Sequence, residues 1–153
     1  MKIGKLLLWI LIWQIPLWIG ARIVQQNMDW YHSLAHPFFS PPDWLFGFVW
    51  AVLYILLALA AFYITKAPSH AHARKALWLM LLQLALNTAW TPLFFGMHQI
   101  QGAMILLLMM LAATIWLMLI TKRFSKPAVW LLIPYLAWLC FAGILNTAIG
   151  LMN

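Results

Sequence analysis

The stretch that decides the fold runs from Trp30 to Tyr54 and reads WYHSLAHPFFSPPDWLFGFVWAVLY. Its first half is aromatic and rich in proline, and its second half is apolar and uninterrupted. Pro41 and Pro42 mark the change, because proline cannot donate a backbone hydrogen bond but has a fixed φ that suits the approach to a helix. Asp43 follows and is expected to cap the free N–H groups of the next helix. We predict a loop that folds over the end of a long apolar helix.

The predicted helix carries large aromatic side chains on one face. Trp50 and Tyr54 are four residues apart and therefore lie on the same side of a helix, with Gly47 one turn earlier. We interpret this face as one wall of a ligand pocket and the preceding aromatic loop as its lid.

The composition of the whole chain is that of a membrane protein. Of its 153 residues, 67% are hydrophobic and only 7% are charged, whereas ordinary soluble domains carry roughly a quarter charged residues. A membrane-spanning helix needs about 20 mainly apolar residues, so this length allows five spans with short loops. Helices satisfy their own backbone groups without water. We predict an all-α membrane protein, a five-transmembrane-helix bundle that forms one domain over residues 1–153.

Five apolar segments separated by short polar connections follow one another along the chain. Lys5 precedes the first segment, which is too long and too rich in tryptophan for a secretory signal, so we retain it as a span with a kink at Pro16. The loop before the third segment carries Pro68 and His70. The predicted spans cover residues 6–24, 44–64, 75–93, 101–120 and 128–151, and the lid loop covers residues 25–43.

Eight of the nine Lys and Arg residues fall in three clusters at alternate ends of these spans, and the loops on the other side hold no Lys or Arg. The clusters are Lys2 and Lys5, then Lys66, Arg74 and Lys75, then Lys122, Arg123 and Lys126. Five spans place all of them on one side of the bilayer, as the positive-inside rule requires. We predict a cytoplasmic N-terminus in a bacterial inner membrane, with the outer membrane as the alternative, and a lid on the opposite side. Because the net charge of +7 comes from these loop clusters, we do not expect nucleic-acid binding.

Two later spans also mix aromatic side chains with hydrogen-bonding groups on one face. Spacings of three and four residues group Gln83, Asn87, Trp90 and Thr91 on the third span, and Tyr135, Trp138, Ala142 and Asn146 on the fifth. Amides are costly in a bilayer unless they are bonded, so both faces should point into the bundle. A mostly apolar cavity with a few polar groups is typical of a ligand site. The alternative is that the aromatics only pack the bundle or form an interfacial belt, with Asn87 and Asn146 bonded to each other.

Three motifs occur in order along the chain: WYHSLAHPFFSPPDWLFGFVWAVLY, QLALNTAWTPLFFG and PYLAWLCFAGILN. Together they resemble the signature stretches of the translocator protein family, whose bacterial members are called tryptophan-rich sensory proteins and whose mitochondrial members are called peripheral-type benzodiazepine receptors. The resemblance covers nearly the whole chain. It implies a five-helix bundle, often a homodimer, that binds porphyrins and, in some members, sterols and isoquinoline-type drugs.

The resemblance also implies which residues contact the ligand. The positions that match the family's cavity are Trp50, Tyr54, Asn87, Trp90, Trp138 and Ala142, and those that match the loop closing it are Tyr31, Pro41 and Pro42. Asn146 joins them from its place on the fifth span. Indole faces can stack on a flat porphyrin while excluding water, and Asn87 can donate one hydrogen bond to a ligand carbonyl or propionate. Arg22 could attract propionates, or could pair with Asp29 or Asp43.

We therefore predict a membrane protein that senses, regulates or carries protoporphyrin- or haem-like ligands and needs no obligatory cofactor. One alternative is light- and oxygen-dependent breakdown of the bound porphyrin, since indole is oxidisable, although the sequence contains no Ser-His-Asp set. Another is a sterol- or lipophile-binding translocator, which is less favoured because Leu145-Asn146 is followed by Thr147-Ala148-Ile149 rather than by an aromatic and a basic residue. A third is a structural or regulatory membrane partner in which the aromatics only pack.

Histidines and small residues supply the remaining predictions. His32 and His36 lie four residues apart in the lid and could ligate haem iron or a metal, but loop histidines are more often solvated, so we predict no metal site. His98 has no partner that the sequence indicates. Ala85 and Ala89 could allow close helix contact in a homodimer. We expect membrane lipid to contact the outer surface of the bundle and a lipophilic small molecule to bind inside it.

Overall fold

The computed structural model describes residues 2–67 and 71–153. Among these residues, five helical segments are long and apolar enough to cross a bilayer. Each predicted span lies within one of them, which confirms the five-helix membrane bundle. Pro68 and His70 of the second basic loop lie outside the described residues. The elements are α1 (Lys2–Trp13), α2 (Ile15–Gln26), α3 (Met28–Ser33), α4 (Asp43–Thr65), α5 (Ala71–Thr91), a π-helical turn (Pro92–Gly96), α6 (Ile100–Thr121) and α7 (Lys126–Met152).

The first span is broken at Gln14 into α1 and α2. Pro16 lies in the first turn of α2, and its ring nitrogen cannot donate to a carbonyl one turn earlier, so the helix bends at this point. Before the break, α1 packs along α4, whereas after it α2 packs on α5 and the π-helical turn. The kink expected at Pro16 is therefore present, and it separates α2 from α4 at the lid end of the bundle.

An aromatic contact anchors the kinked span in the middle of the bundle. Trp13 is completely buried, and its ring stacks on Tyr54 of α4 with centroids 6.2 Å apart. Nearby, α4 presents Ala58, Ala60 and Ala61, which have no exposed surface, and such small side chains let neighbouring helices approach closely. These positions in the middle of α4 are therefore completely enclosed by their neighbours.

The lid between the first and second spans is partly helical. The predicted loop covers residues 25–43, but α2 continues to Gln26 and α3 follows, so only Asn27 and residues 34–42 lie outside the helices. Glutamine is a good helix former and extends α2 beyond its apolar part. Asn27 then ends the helix, because its Nδ2 donates to the carbonyl oxygen of Ile23 at 2.8 Å and satisfies one of the free carbonyls of a helix end.

Asp43 does not cap α4, so the expectation that it would was wrong. Pro42 occupies the N-cap position, and no side chain caps this helix end. Asp43 is instead the first helical residue, one position too late for a capping side chain. Its Oδ2 lies 2.8 Å from Nε2 of His32, and the carboxylate still favours the positive end of the helix dipole. The pair ties α3 to the start of α4.

His98 has a partner that the sequence did not indicate. Its ring stacks on Trp30 of α3, with centroids 4.0 Å apart and planes at 13°. Its Nε2 also lies 3.1 Å from Oδ1 of Asn27. The connection between the π-helical turn and α6 therefore holds the helical part of the lid in place.

Candidate functional site, an aromatic cavity under the lid

A cavity of about 580 Å³ lies between α2, α4, α5 and α7, on the lid side of the bundle. It exists because α2 leaves α4 after Pro16, while α3 and the π-helical turn cover the end of the gap. Its wall is mostly apolar, with a few amide and hydroxyl groups. The volume falls within the range of roughly 300–1,000 Å³ that is typical of small-molecule sites.

Most of the predicted ligand-contacting residues border this cavity, and they come from four separate helices. Those on the wall are Tyr31, Trp50, Tyr54, Asn87, Trp90, Ala142 and Asn146. Trp50 and Tyr54 adjoin one another with ring centroids 5.4 Å apart, as their helical spacing predicts. The aromatic and amide groups of separate spans thus converge on one hollow.

Trp138, Pro41 and Pro42 are not on the wall of this cavity. Trp138 packs behind Trp50, with the two rings at 88° and 6.3 Å apart, and borders a separate groove of about 380 Å³ between α4 and α7. Helical side chains lean toward the N-terminus of their helix, and the lid contacts the other end of α7 through Asn153. Trp138 therefore leans away from the cavity and supports a wall residue instead of forming the wall.

Sequence reasoning missed two parts of the wall. One is the face of α2 that includes Leu17, Gly20 and Val24, which nothing distinguishes in a span that is apolar on all sides. The other is the π-helical turn, where Phe94 stacks on Trp90 with centroids 5.0 Å apart and planes at 11°. The four-residue spacing of Trp90 and Phe94 could have indicated that they share one helical face. Pro92 between them suggested instead that the helix had ended.

Below the cavity, a chain of hydrogen bonds joins three helices. Asn87 donates from Nδ2 to the hydroxyl oxygen of Tyr135 at 2.8 Å, and that hydroxyl donates to Oε1 of Gln83 at 2.9 Å. Gln83 donates in turn to Oγ1 of Thr114 at 2.7 Å. On the opposite wall, Asn146 donates to the backbone oxygen of Ile100 at 3.0 Å. Asn87 and Asn146 thus bond to other groups and not to each other.

Three polar atoms of wall residues have no hydrogen-bond partner among the described residues. They are Oδ1 of Asn87, Nε1 of Trp90 and Oδ1 of Asn146, and all three are buried. Leaving a buried polar group unpaired costs about 1–3 kcal/mol, so such groups usually have a partner. Nε1 of Trp13 and Nε1 of Trp138 are likewise buried without a partner, although neither residue is on the wall.

The lid end of the cavity carries the hydroxyl of Tyr31 near the contact between Asp43 and His32. Burial, and then the nearby carboxylate of Asp43, raises the pKa of Tyr31 to about 12, so this hydroxyl stays protonated at neutral pH. Asp43 pairs with His32 rather than with Arg22, which is exposed. The carboxylate of Asp43 is part of the wall at this end, whereas the other lining side chains carry no charge.

The lid histidines bond protein groups. Nε2 of His32 pairs with Asp43, and Nε2 of His36 lies 2.8 Å from the backbone oxygen of Tyr31. Neither histidine lines the cavity. Within residues 2–67 and 71–153, no three His, Cys, Asp or Glu side chains form a group that could hold a metal ion.

The sequence is similar to known proteins over almost its whole length. A model of the TspO/MBR family matches residues 7–152. The translocator protein of Bos taurus is 40% identical over 134 residues, covering 84% of this chain and 78% of that protein. The tryptophan-rich protein TspO of Chlorobaculum tepidum is 34% identical over 136 residues, covering 88% and 86%, and the tryptophan-rich sensory protein of Cereibacter sphaeroides is 36% identical over 124 residues, covering 77% and 73%. The chain therefore belongs to the TspO/MBR family of multi-pass membrane proteins.

Proposed function

We propose that this protein binds a flat, mostly apolar aromatic molecule of the porphyrin class inside the cavity, and that binding serves to sense, regulate or carry that ligand at the membrane. The observation that carries the proposal is the wall itself, which combines large aromatic rings with only a few polar groups. The rings are those of Trp50, Tyr54, Trp90, Phe94 and Phe95.

The arrangement of the aromatic rings on one part of the wall supports a flat ligand. Trp90 and Phe94 lie almost parallel, at 11° and 5.0 Å, and Phe95 meets Trp90 nearly at a right angle, at 75° and 6.3 Å. Offset stacking and edge-to-face contact are the two arrangements that aromatic rings prefer. A planar ligand in the cavity would meet aromatic rings in two orientations, which supports an aromatic ligand.

The names of the relatives support carriage or sensing as the purpose of binding. One is called a translocator protein and another a sensory protein. Both roles need a site that a lipophilic molecule can occupy and leave, and a lid that is held by side-chain contacts meets this need. For this chain, we propose that the ligand in the cavity is either the signal that the protein senses or the cargo that it carries.

Filling the cavity with a side chain tests the proposal. Gly47 borders the cavity, and a Cβ added there meets no atom within 4 Å, so Gly47→Phe should place a ring in the ligand's space without disturbing the fold. Gly143 is equally open but is not on the wall, so Gly143→Phe is the matched control. We expect protoporphyrin, titrated by quenching of tryptophan fluorescence, to bind Gly47→Phe at least about tenfold more weakly than the control, because steric exclusion removes contacts worth more than 1.4 kcal/mol.

Equal affinity in the two variants would show that porphyrin does not occupy this cavity. Weak binding in both, together with a lower melting temperature, would indicate damage to the bundle, and the smaller Gly47→Leu would then take the place of the phenylalanine. Absence of porphyrin binding to the unaltered protein would refute the proposal directly.

A second function, breakdown of the bound porphyrin with light and molecular oxygen, is favoured by the two oxidisable indoles on the wall, Trp50 and Trp90. Illumination of the complex in air should bleach the pigment, and Trp50→Phe should stop the bleaching while binding persists. If both forms bleach equally, the reaction belongs to the pigment and not to the protein.

We also propose a homodimer, with α5 at the interface. Ala85 and Ala89 lie on α5 and are exposed in the single chain, and small residues four positions apart let helices approach closely in a bilayer. Ala85→Phe with Ala89→Phe should shift the purified protein from dimer to monomer in light scattering. A dimer that survives both changes would place the interface elsewhere.

A further inference from the structure

We propose that the end of the bundle opposite the lid binds the headgroups of anionic phospholipids at two positions, one on α5 and one on α7. At each position a cationic side chain lies one helical turn beyond an exposed tryptophan. The proposal concerns the outer surface of the bundle and does not depend on the ligand of the cavity.

The first position is at the start of α5. Trp78 is 67% exposed, and Arg74 and Lys75, which precede it by four and three residues in the same helix, are exposed as well. Residues three and four apart are neighbours on a helix, so these three side chains share one outward face. Because a helix rises about 1.5 Å per residue, the two cations start about 4.5–6 Å nearer to the water than the ring.

The second position is at the start of α7 and repeats this arrangement. Trp130 is 71% exposed, and Lys126, four residues before it, is also exposed. Exposed tryptophan rings prefer the level at which lipid headgroups meet the hydrocarbon. A cation one turn closer to the water therefore lies at the level of the lipid phosphates.

No carboxylate side chain of this protein is available to neutralise these cations. The chain has two acidic residues, Asp29 in α3 and Asp43 at the start of α4, and both lie at the lid end. In the part of the chain that the structure describes, Lys66 is the one cation placed over aromatic rings, with Nζ 4.2 Å from the ring centroid of Phe62. The cations beside the two tryptophans are thus left to interact with charges from outside the chain.

A lipid headgroup fits this arrangement better than a soluble anion does. The exposed rings lie among acyl chains, so the neighbouring cations face the lipid surface, where basic side chains are attracted to anionic headgroups. A zwitterionic headgroup carries its own cation, which competes with the side chain for the phosphate. An anionic phospholipid has no such competitor and should be preferred.

A third tryptophan and cation, Trp18 and Arg22 on α2, provide an internal comparison at the lid end. Both are exposed and four residues apart, but here the tryptophan comes first along the helix. Helical side chains lean toward the N-terminus of their helix, which is toward water at the start of α5 and α7 but toward the hydrocarbon on α2. Arg22 therefore reaches less far toward the phosphates, and we expect no anionic lipid there.

Native mass spectrometry of the purified protein in a neutral detergent tests the proposal, with phosphatidylglycerol and phosphatidylcholine of identical acyl chains. Phosphatidylglycerol should bind at two positions, each at least about fivefold more tightly than phosphatidylcholine, as expected for one cation beside an anionic headgroup. Arg74→Gln and Lys126→Gln should each remove one of these lipids, and the double variant should remove both. The matched controls Arg22→Gln and Lys66→Gln make the same substitutions away from the cavity wall and should keep both lipids.

Equal binding of the two lipids to the unaltered protein overturns the proposal. Equal losses in the controls also overturn it, because the positive charge of the whole surface would then attract the lipids. If Lys126→Gln has a lower melting temperature in lipid-free detergent, Lys126→Arg takes its place; it retains the charge and should keep the lipid, and loss of the lipid there would contradict the proposal. Binding of protoporphyrin tests the cavity separately and should be the same in all of these variants.

Discussion

The side chain of Asn153 closes on the backbone of Ala35, 118 residues away in the chain. Its Oδ1 accepts from the amide nitrogen of Ala35 at 2.9 Å, and its Nδ2 donates to the carbonyl oxygen of the same residue at 3.1 Å. Nδ2 also donates to the backbone oxygen of Ile149 at 2.8 Å, which holds the side chain against the last turn of α7. A single amide thus ties the irregular part of the lid to a helix that borders the cavity.

Loss of this contact should loosen the lid without unfolding the bundle. Asn153→Leu keeps a similar volume but removes both bonds to Ala35, and because the contact is exposed we expect each lost bond to be worth about 1 kcal/mol at most. The amide of Ala35 should exchange with deuterium several times faster, and a bound ligand should dissociate faster. Ser33→Ala, which removes only a bond within the lid to Trp30, serves as the control. Unchanged exchange at Ala35 would mean that other contacts hold the lid.

The hydrogen-bond chain below the cavity should contribute measurably to stability. Tyr135→Phe leaves Oε1 of Gln83 and one N–H of Asn87 without the partner that the structure gives them. Hydrogen bonds between helices in a bilayer are worth on average about 0.6 and at most about 1.7 kcal/mol, so we expect the free energy of unfolding in mixed micelles to fall by about 1 kcal/mol. Tyr63→Phe alters a tyrosine at the exposed surface of α4 and should change it by less than about 0.5 kcal/mol. Equal effects of the two changes would contradict the role of the chain.

The crossing of α2 and α5 should not tolerate a larger residue at Gly20. A Cβ there would lie 3.3 Å from the side chain of Thr91, and the branched side chain of valine adds two further atoms. Overpacking of this kind costs about 1–3 kcal/mol, so Gly20→Val should lower the free energy of unfolding by that amount. Combination with Thr91→Ala should restore part of the loss. If Gly20→Val alone is as stable as the unaltered protein, α2 and α5 are less closely packed than the structure shows.

The buried hydroxyl of Tyr31 makes stability depend on pH at the alkaline end. Its pKa is raised from 10.0 to about 12 in the folded protein, so the unfolded chain releases this proton first as the pH rises. Stability from this group is present below about pH 10 and is lost between about pH 10 and pH 12. The difference in unfolding free energy between the unaltered protein and Tyr31→Phe should therefore shrink from about pH 9 to about pH 11.5. A constant difference would show that Tyr31 titrates normally.

The membrane bundle could be predicted because its causes are local. An apolar run long enough to span a bilayer must form a helix, since lipid offers no partner to the backbone, and the alternating basic loops then allow five spans. The bend at Pro16 is local for the same reason, because a missing N–H acts within one turn. The extent of the lid was harder to predict, since Gln25 and Gln26 are as compatible with a helix as with a loop.

The wall of the cavity could be predicted only in part. Helical spacing grouped Trp50 with Tyr54 and Asn87 with Trp90, and both pairs border the cavity. Trp138 lies off this wall, because spacing assigns a residue to a face of its helix but does not say how far along the bundle a neighbouring helix leaves room. The position of the cavity along the bundle depends on where α2 diverges from α4.

The sequence by itself determined that this chain crosses a membrane as five apolar helices and that it resembles one family over nearly its whole length, because hydropathy and motifs belong to contiguous residues. Only the tertiary structure decided where the cavity opens and which atom of Asn87 remains unpaired. The first depends on how two helices diverge. The second depends on Tyr135 of α7, which accepts from Asn87, and on Gln83, whose amide is oriented by the backbone oxygen of Met110 on α6. The orientation of the Asn87 amide thus depends on an acceptor at the end of the hydrogen-bond chain, the backbone oxygen of Met110, which lies on another helix.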